Sequence, residues 1–224
     1  ADIPEDSDLD IHTVPVRYNF GNTSYVDKLS QTPKEFYYEL ATNMNHPQTS
    51  QPTPGDFRRQ YQFLLSHYDS IISIHLPHKM SGTYQSAISA SKRLDDSSIT
   101  VVDGLSASVG LGLIVMKAAT LAKDGRNHNE IEKSLSEIIT STDIFIVVQD
   151  LSYIVRGGRL PGWVKTIADF LHCRPIMSTK DDGGMGLAGV IRGTADFPEK
   201  MSKFILKKMD AEKIYNVLIG HSNI

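Results

Sequence analysis

The 224-residue chain contains a single cysteine, and this scarcity excludes several classes of structure. Cys173 can neither form a disulfide within the chain nor supply a multi-cysteine metal site. Chains without disulfides are typical of reducing compartments, so we expect a cytoplasmic location. The sequence also lacks a run of about 18 apolar residues, and it therefore predicts no membrane-spanning helix.

An excess of positive charge is also lacking. The chain has 23 Lys and Arg residues against 26 Asp and Glu residues, giving a formal net charge of −3. Proteins that bind nucleic acid neutralise phosphates with clustered Lys and Arg, so the composition predicts no nucleic-acid partner. A hydrophobic content of 40% and a charged content of 22% are typical of a globular chain. Its length allows one large domain or two small ones.

Several catalytic signatures are missing. The sequence has no G-x-x-x-x-G-K-[ST] phosphate loop, and Gly110-Leu-Gly112 lacks the third glycine of a dinucleotide fingerprint. Gly104-Leu-Ser106-Ala-Ser108 lacks the closing glycine of a nucleophile elbow. The histidines are scattered without the spacing of a metal site. Hydroxyl-bearing loops without an acid–base apparatus indicate a non-catalytic binding protein that needs no cofactor and no metal.

The order of apolar segments predicts an α/β fold with two lobes. Strand-like and helix-like segments alternate through residues 1–150, which favours a parallel-sheet α/β lobe. After residue 150, a turn at 181–184 between two strand-like runs predicts a hairpin, so residues 151–224 are predicted to form a smaller α+β lobe with an antiparallel sheet. The predicted strands are 13–18, 70–76, 99–102, 144–148, 175–179, 187–192 and 215–219. The predicted helices are 33–44, 54–68, 81–94, 106–123, 129–139, 162–171 and 197–209.

The triplet Ser81-Gly82-Thr83 lies between a predicted strand and a predicted helix. Loops of this kind lie at the carboxyl edge of a parallel sheet, where ligands bind in open α/β folds. Ser81 is predicted to cap the helix, Gly82 allows close approach to the backbone, and the first-turn N–H groups favour an anion. The alternative is a plain serine cap without a ligand.

The segment Thr49-Ser50-Gln51-Pro52-Thr53-Pro54 carries hydroxyls on a stiff backbone, because two prolines block helix formation. It could deliver a threonine or serine hydroxyl to a ligand. The alternative is a linker that ends in the first turn of the following helix.

Two further stretches carry chemistry in the sequence. Asp103 ends a predicted strand and Ser106 is predicted to cap the next helix, so the alternative to a catalytic aspartate is a capped core helix. Arg156 and Arg159 flank two glycines and could clamp a carboxylate or phosphate. They could equally lie in a solvated loop between the lobes or meet a partner protein.

Four ordered motifs resemble the DegV family, and the resemblance extends over essentially the whole chain. Shorter matches at 174–177 and 191–193 extend it into the second lobe. One departure is Pro77-His78, which stands where many relatives have Ser-Ser. The four motifs are Thr49-Ser-Gln-Pro52, Met80-Ser-Gly-Thr-Tyr-Gln-Ser-Ala87, Val101-Val-Asp103 followed by Ser106-Ala-Ser-Val-Gly-Leu-Gly112, and Leu151-Ser-Tyr-Ile-Val-Arg-Gly-Gly-Arg159.

The resemblance implies a two-lobed protein that binds one long-chain fatty acid such as palmitate, stearate or oleate. Similar proteins are the fatty-acid-binding subunit of bacterial fatty acid kinase, which implies a separate kinase subunit as partner and transient contact with a membrane surface. By position, the carboxylate-binding residues match Thr49 and Ser81. Secondary candidates are Ser50, Gly82, Thr83, Ser106, Arg156 and Arg159. The alternative function is a hydrolase of small anions that uses Asp103, Arg156 and Arg159.

Overall fold

A computed structural model describes residues 3, 8–148, 150–162, 164–166, 173–193 and 196–221. Of the predicted helix 162–171, residues 162 and 164–166 are helical and the rest lies outside the described residues. The strands are β1 Arg17–Phe20, β2 Thr23–Val26, β3 Gln48–Ser50, β4 Ile71–His75, β5 Ile99–Asp103, β6 Ile146–Val147, β7 Cys173–Thr179 and β8 Met185–Arg192. The helices are α1 Pro33–Thr42, α2 Pro54–Leu65, α3 Thr83–Leu94, α4 Ser108–Lys123, α5 His128–Thr140, α6 Ser152–Arg156 and α7 Phe197–Leu206.

A small antiparallel sheet of order β2-β1-β3 comes first in the chain. The predicted strand 13–18 is displaced to β1, because a tight turn at Gly21, with φ +58°, pairs β1 with β2 as a hairpin. The prolines around residue 50 concealed β3, which is short and pairs with β1. Tyr18 and Phe20 pack edge-on or tilted against Phe36 of α1, and this aromatic cluster holds α1 on the sheet.

The parallel pair β4 and β5 forms the centre of the N-terminal half, in register from Ile71↔Ile99 to His75↔Asp103. Side chains alternate along each strand and so supply two cores. Ile71 packs with buried residues of α2 and α3 on one face, whereas Ile72 and Ile74 pack against α4 and α5 on the other. This layering confirms the predicted parallel α/β arrangement.

The predicted strand 144–148 does not join the parallel sheet. Its shorter form, β6, pairs antiparallel with β7, with Ile146 opposite Met177. A uniformly apolar run suits a strand buried on both faces, but it does not specify the partner strand. The predicted hairpin is confirmed: β7 and β8 pair antiparallel across a turn at Gly183, where φ is +77°.

The last described segment corrects one prediction. Residues 215–219 were predicted as a strand and have no regular secondary structure. Their β-branched residues suit a strand, but a strand also needs an edge to pair with, and Ile214, Val217 and Ile219 are exposed. The fold is therefore mixed α/β, with a parallel sheet in the N-terminal half and an antiparallel sheet in the C-terminal half. In the described part of the chain, no helix is long and apolar enough to cross a membrane.

Candidate ligand-binding site

The loop between β4 and α3 is a tight turn closed by the Pro77 carbonyl, which accepts from Met80 N at 2.9 Å and from Ser81 N at 3.1 Å. Helix α3 begins at Thr83 with Gly82 as its N-cap, so the prediction that Ser81 is the cap is wrong by one residue. The turn uses the Ser81 N–H and places Ser81 just outside the helix. Its Oγ accepts from Thr83 N at 3.3 Å and shares a 2.8 Å hydrogen bond with Thr83 Oγ1.

Helix capping differs between the sheet edge and the rest of the N-terminal half. Helices α1, α2 and α5 each begin with a complete capping box. Helices α3 and α4, which follow β4 and β5, have no side-chain cap. The N-cap of α4 is Ala107, so the prediction that Ser106 caps this helix is wrong. No N-cap side chain covers the starts of α3 and α4, whose helix dipoles favour an anion, although Thr83 N at the start of α3 already donates to Ser81 Oγ.

Asp103 connects the two loops at this edge. Its Oδ2 accepts from the backbone N–H of His78 at 3.2 Å and from His78 Nδ1 at 2.6 Å, and its Oδ1 accepts from Leu105 N at 3.1 Å. The carboxylate is 15% exposed. These contacts assign Asp103 to loop organisation and do not favour the hydrolase alternative. They also show the role of His78, which stands where many relatives have serine: it donates hydrogen bonds to Asp103 at the start of the neighbouring loop.

Ser106 is the most unusual hydroxyl at the edge. It is 2% exposed, and its Oγ has no hydrogen-bond partner among the described residues. Leu105, just before it, and Ser108, two residues after it, both have φ +47°, a conformation that non-glycine residues seldom adopt. Such strain is concentrated at functional sites. The hydroxyl lies against the first turn of α4. The first carbon of a side chain at Gly110 would be only 2.4 Å from Ser106 Oγ.

A buried polar chain lies beneath the loops. Tyr61 OH donates to Ser73 Oγ at 2.7 Å, and Ser73 Oγ lies 2.7 Å from His75 Nε2. Burial lowers the pKa of His75 to about 4 and raises the pKa of Tyr61 to about 12. His75 is therefore a neutral core histidine. No group of three or more His, Cys, Asp or Glu within the described ranges could hold a metal ion.

The segment that carries Thr49 reaches the start of α3 through Gln51. Gln51 Nε2 donates to Ser86 Oγ at 3.2 Å, and its Oε1 lies only 2.0 Å from where a side chain at Gly82 would begin. Thr49 is exposed in β3 opposite Tyr18. Because Gln51 precedes a proline, its backbone favours the extended form, in which Thr49 and Gln51 face the same side. The role of Gln51 was not predicted, although the glycine at position 82 signalled close approach.

The arginine loop touches both candidate loops. Arg156 lies in α6, not in a flexible loop, and its Nη1 donates to Nδ1 of His46 at 3.2 Å, just before β3. Arg159 Nε donates to the Met80 carbonyl at 3.1 Å, next to Ser81. Both arginines are exposed. Their contacts hold the segment from 151 to 159 against the loops that carry Thr49 and Ser81.

The β7–β8 hairpin also packs on these loops. A side chain at Gly183 would begin 2.8 Å from Pro77 Cβ and 3.1 Å from Leu105 Cδ2. Lys79 Nζ and Asp182 Oδ2 form an ion pair at 2.5 Å. The antiparallel sheet therefore reaches the loops after β4 and β5. A cleft of about 610 Å³ lies elsewhere, beside α1, and is lined by Tyr25, Ser30, Gln31, Lys34, Glu35, Tyr38, Glu39 and Thr42.

The geometry defines a mixed α/β protein whose parallel-sheet edge presents hydroxyls and uncapped helix starts, with parts of the C-terminal half packed against it. The chain belongs to the DegV family: the family model described as "Uncharacterised protein, DegV family" matches residues 1–224. A DegV domain-containing protein from Caldanaerobacter subterraneus subsp. tengcongensis is 35% identical over 195 residues, which are 86% of this chain and 69% of that protein.

The chain is also similar to solved structures. A DegV family protein from Thermus thermophilus, described as fatty acid binding, is 32% identical with a TM-score of 0.76, over 87% of this chain and 68% of that one. The Fak B3 protein of Streptococcus pneumoniae, a fatty acid kinase protein loaded with linoleic acid, is 21% identical with a TM-score of 0.78, over 87% of this chain and 69% of that one. The second likeness shows the fold alone.

Proposed function

We propose that the chain binds one long-chain fatty acid, with the carboxylate held by Thr49 and Ser81. The observation that supports this proposal is the contact of Gln51, two residues after Thr49, with Gly82, the residue after Ser81. The fatty acid binding of the Thermus thermophilus relative supports the ligand class. Hydroxyl donors and first-turn amides hold a carboxylate by hydrogen bonds and leave it accessible to chemistry.

The secondary candidates divide into three kinds. Thr83 shares a hydrogen bond with Ser81 and can orient its hydroxyl. Gly82 is a candidate through its backbone N–H, because the space beside its Cα is taken by the Gln51 carboxamide. Ser50 follows Thr49 in β3, and Ser106 is a buried hydroxyl on the neighbouring loop after β5, so each is a candidate further donor. Arg156 and Arg159 hold the loops in place through His46 and Met80.

The acyl chain of palmitate, stearate or oleate is proposed to run in an apolar tunnel between an α/β lobe, residues 1–150, and an α+β lobe, residues 151–224. The apolar cluster of the C-terminal half, built on Leu151, Leu160 and Met177, is a candidate wall. Burial contributes about 0.8 kcal/mol per methylene, so the tail supplies most of the affinity and the hydroxyls fix its orientation.

The proposed role is that of a non-catalytic carrier in the cytoplasm. It presents the carboxylate to a separate kinase subunit, which makes the acyl phosphate, and it exchanges ligand during transient contact with a membrane surface. The motif resemblance to fatty acid kinase subunits supports the kinase partner. Arg156 and Arg159 are both exposed beside the loops and offer that partner a basic contact.

Binding of oleate to the purified protein tests the proposal. We expect saturable binding at one site, measured by calorimetry, and release of a long-chain acid from denatured protein in mass spectrometry. Ser81→Ala should weaken binding by about 1–3 kcal/mol, because it removes a hydrogen bond to a charged group. Ser89→Ala on the same helix, whose Oγ bonds the Gln85 carbonyl, is the control. If the protein releases no lipid and takes up no oleate, the proposal is wrong.

A further inference from the structure

Gln51 joins the two segments that carry the proposed carboxylate donors. Its carboxamide lies across Gly82 in the position that a side chain there would fill, with Oε1, Cδ and Nε2 all within 2.6 Å of that position. Its Nε2 donates to Ser86 Oγ at 3.2 Å, and Ser86 is buried in the first turns of α3. One side chain thus contacts the helix at residues 82 and 86.

We propose that Gln51 is a positioning residue that sets Thr49 against Ser81, an inference that rests on the proposed fatty acid site. Thr49 lies two residues before Gln51, whose side chain contacts Gly82 and Ser86 at the start of α3. Pro52 is fully buried and fixes the chain immediately after Gln51. Without the amide contact, we expect the Thr49 segment to keep its pairing with β1 but to lose its fixed position relative to the start of α3.

Gly82 is the complementary half of this arrangement. Its φ of −73° is accessible to any residue, so a glycine is required here for space and not for backbone conformation. Alanine at position 82 would overlap the Gln51 carboxamide and displace it without straining the turn. Gly82→Ala is therefore a second, independent way to detach Gln51.

The experiment compares two ligands that share a tail but differ in the head group: oleate and oleyl alcohol. Gln51→Met keeps the length of the side chain and removes the amide. We expect oleate to bind about tenfold more weakly to Gln51→Met and to Gly82→Ala, while the affinity for oleyl alcohol changes less than about twofold. Gln48→Met changes an exposed amide of β3, three residues before Gln51, and should leave both affinities unchanged.

A double-variant cycle identifies the residue through which Gln51 acts. In a Thr49→Val background, Gln51→Met should cost little further oleate affinity, because the donor that it positions is already gone. Gly82→Ala combined with Gln51→Ala should bind oleate no more weakly than Gly82→Ala alone, since the overlap is relieved.

Three outcomes would overturn the inference. Equal losses for oleate and oleyl alcohol would assign Gln51 to general packing, and unchanged oleate affinity in Gln51→Met would remove it from the site. Additive effects of Gln51→Met and Thr49→Val would mean that the two act independently. A wild-type protein that binds neither ligand would refute the proposed function itself, a result distinct from any failure of the variants.

Discussion

At the scale of single residues, hydroxyl and imidazole groups beneath the sheet edge are held in fixed protonation states. His75 is 8% exposed and lies edge-on to Phe57 with ring centroids 5.1 Å apart. Its Nε2 faces Ser73 Oγ, which already accepts from Tyr61, so the serine proton is directed at the imidazole. This arrangement suits a neutral ring, because a protonated Nε2 would confront another donor.

Protonation of His75 should therefore destabilise the fold. Its pKa falls from 6.5 to about 4 in the folded protein, so the unfolded state binds the additional proton between these values. The contribution of neutral His75 to the free energy of unfolding is fully present above pH 6.5. It is lost as the pH falls toward 4, by about 3 kcal/mol in total. Urea unfolding from pH 7.5 to 4.5 measures the slope.

His75→Gln is the comparison for this prediction, since glutamine accepts a hydrogen bond and does not titrate. Carboxylates with lowered pKa values, such as Asp56, titrate in both proteins and cancel in the difference. The wild type should lose more stability than the variant on acidification. Parallel pH profiles for the two proteins would contradict the assignment of a buried neutral His75.

At the scale of secondary-structure elements, capping boxes fix the starts of helices α1, α2 and α5. Thr53 caps α2 by accepting from Asp56 N, and the Asp56 carboxylate accepts from Thr53 N at 2.9 Å. The same residue ends the stiff segment that begins at Thr49. The cap therefore fixes where that segment leaves the sheet edge.

Thr53→Ala should lower the free energy of unfolding by about 1 kcal/mol, the usual cost of losing a threonine cap. Thermal or urea denaturation measures this change. Thr120→Ala, an exposed threonine inside α4, should change stability by less than about 0.5 kcal/mol. A loss no larger than that of the control would show that the reciprocal cap contributes nothing.

Sequence patterns predicted the elements whose boundaries are set by local residues. They failed for strands whose pairing depends on a partner that is distant in the sequence. Helices α1, α2 and α5 start at the predicted proline or within one residue of the predicted position, because their caps are local. Strand β6 and the segment 215–219 were mispredicted, since pairing depends on which edge is available. The starts of α3 and α4 were shifted because turn geometry, and not a serine hydroxyl, ends each loop.

At the scale of the whole molecule, described residues of the C-terminal half contact the loop between β4 and α3 and the loop after β5. The β7–β8 turn packs on Pro77 and Leu105, Lys79 pairs with Asp182, and Arg159 bonds the Met80 carbonyl. The ion pair is exposed and contributes little stability. The packing of Gly183 has a steric requirement, and Pro77, which it contacts, lies in the same loop as Ser81.

Gly183→Ala should release the hairpin from the sheet edge. The added carbon would lie 2.8 Å from Pro77 Cβ, and the residue already has φ +77°. Gly125→Ala is a matched control, because Gly125 has φ +80° and no atom within 4 Å of its missing side chain. Both variants should lose about 1 kcal/mol to backbone strain. Only Gly183→Ala should show faster amide hydrogen exchange in residues 77–82 and weaker oleate binding, since only it disturbs the loop that carries Ser81. If both variants exchange equally in that loop, the hairpin does not hold it in place.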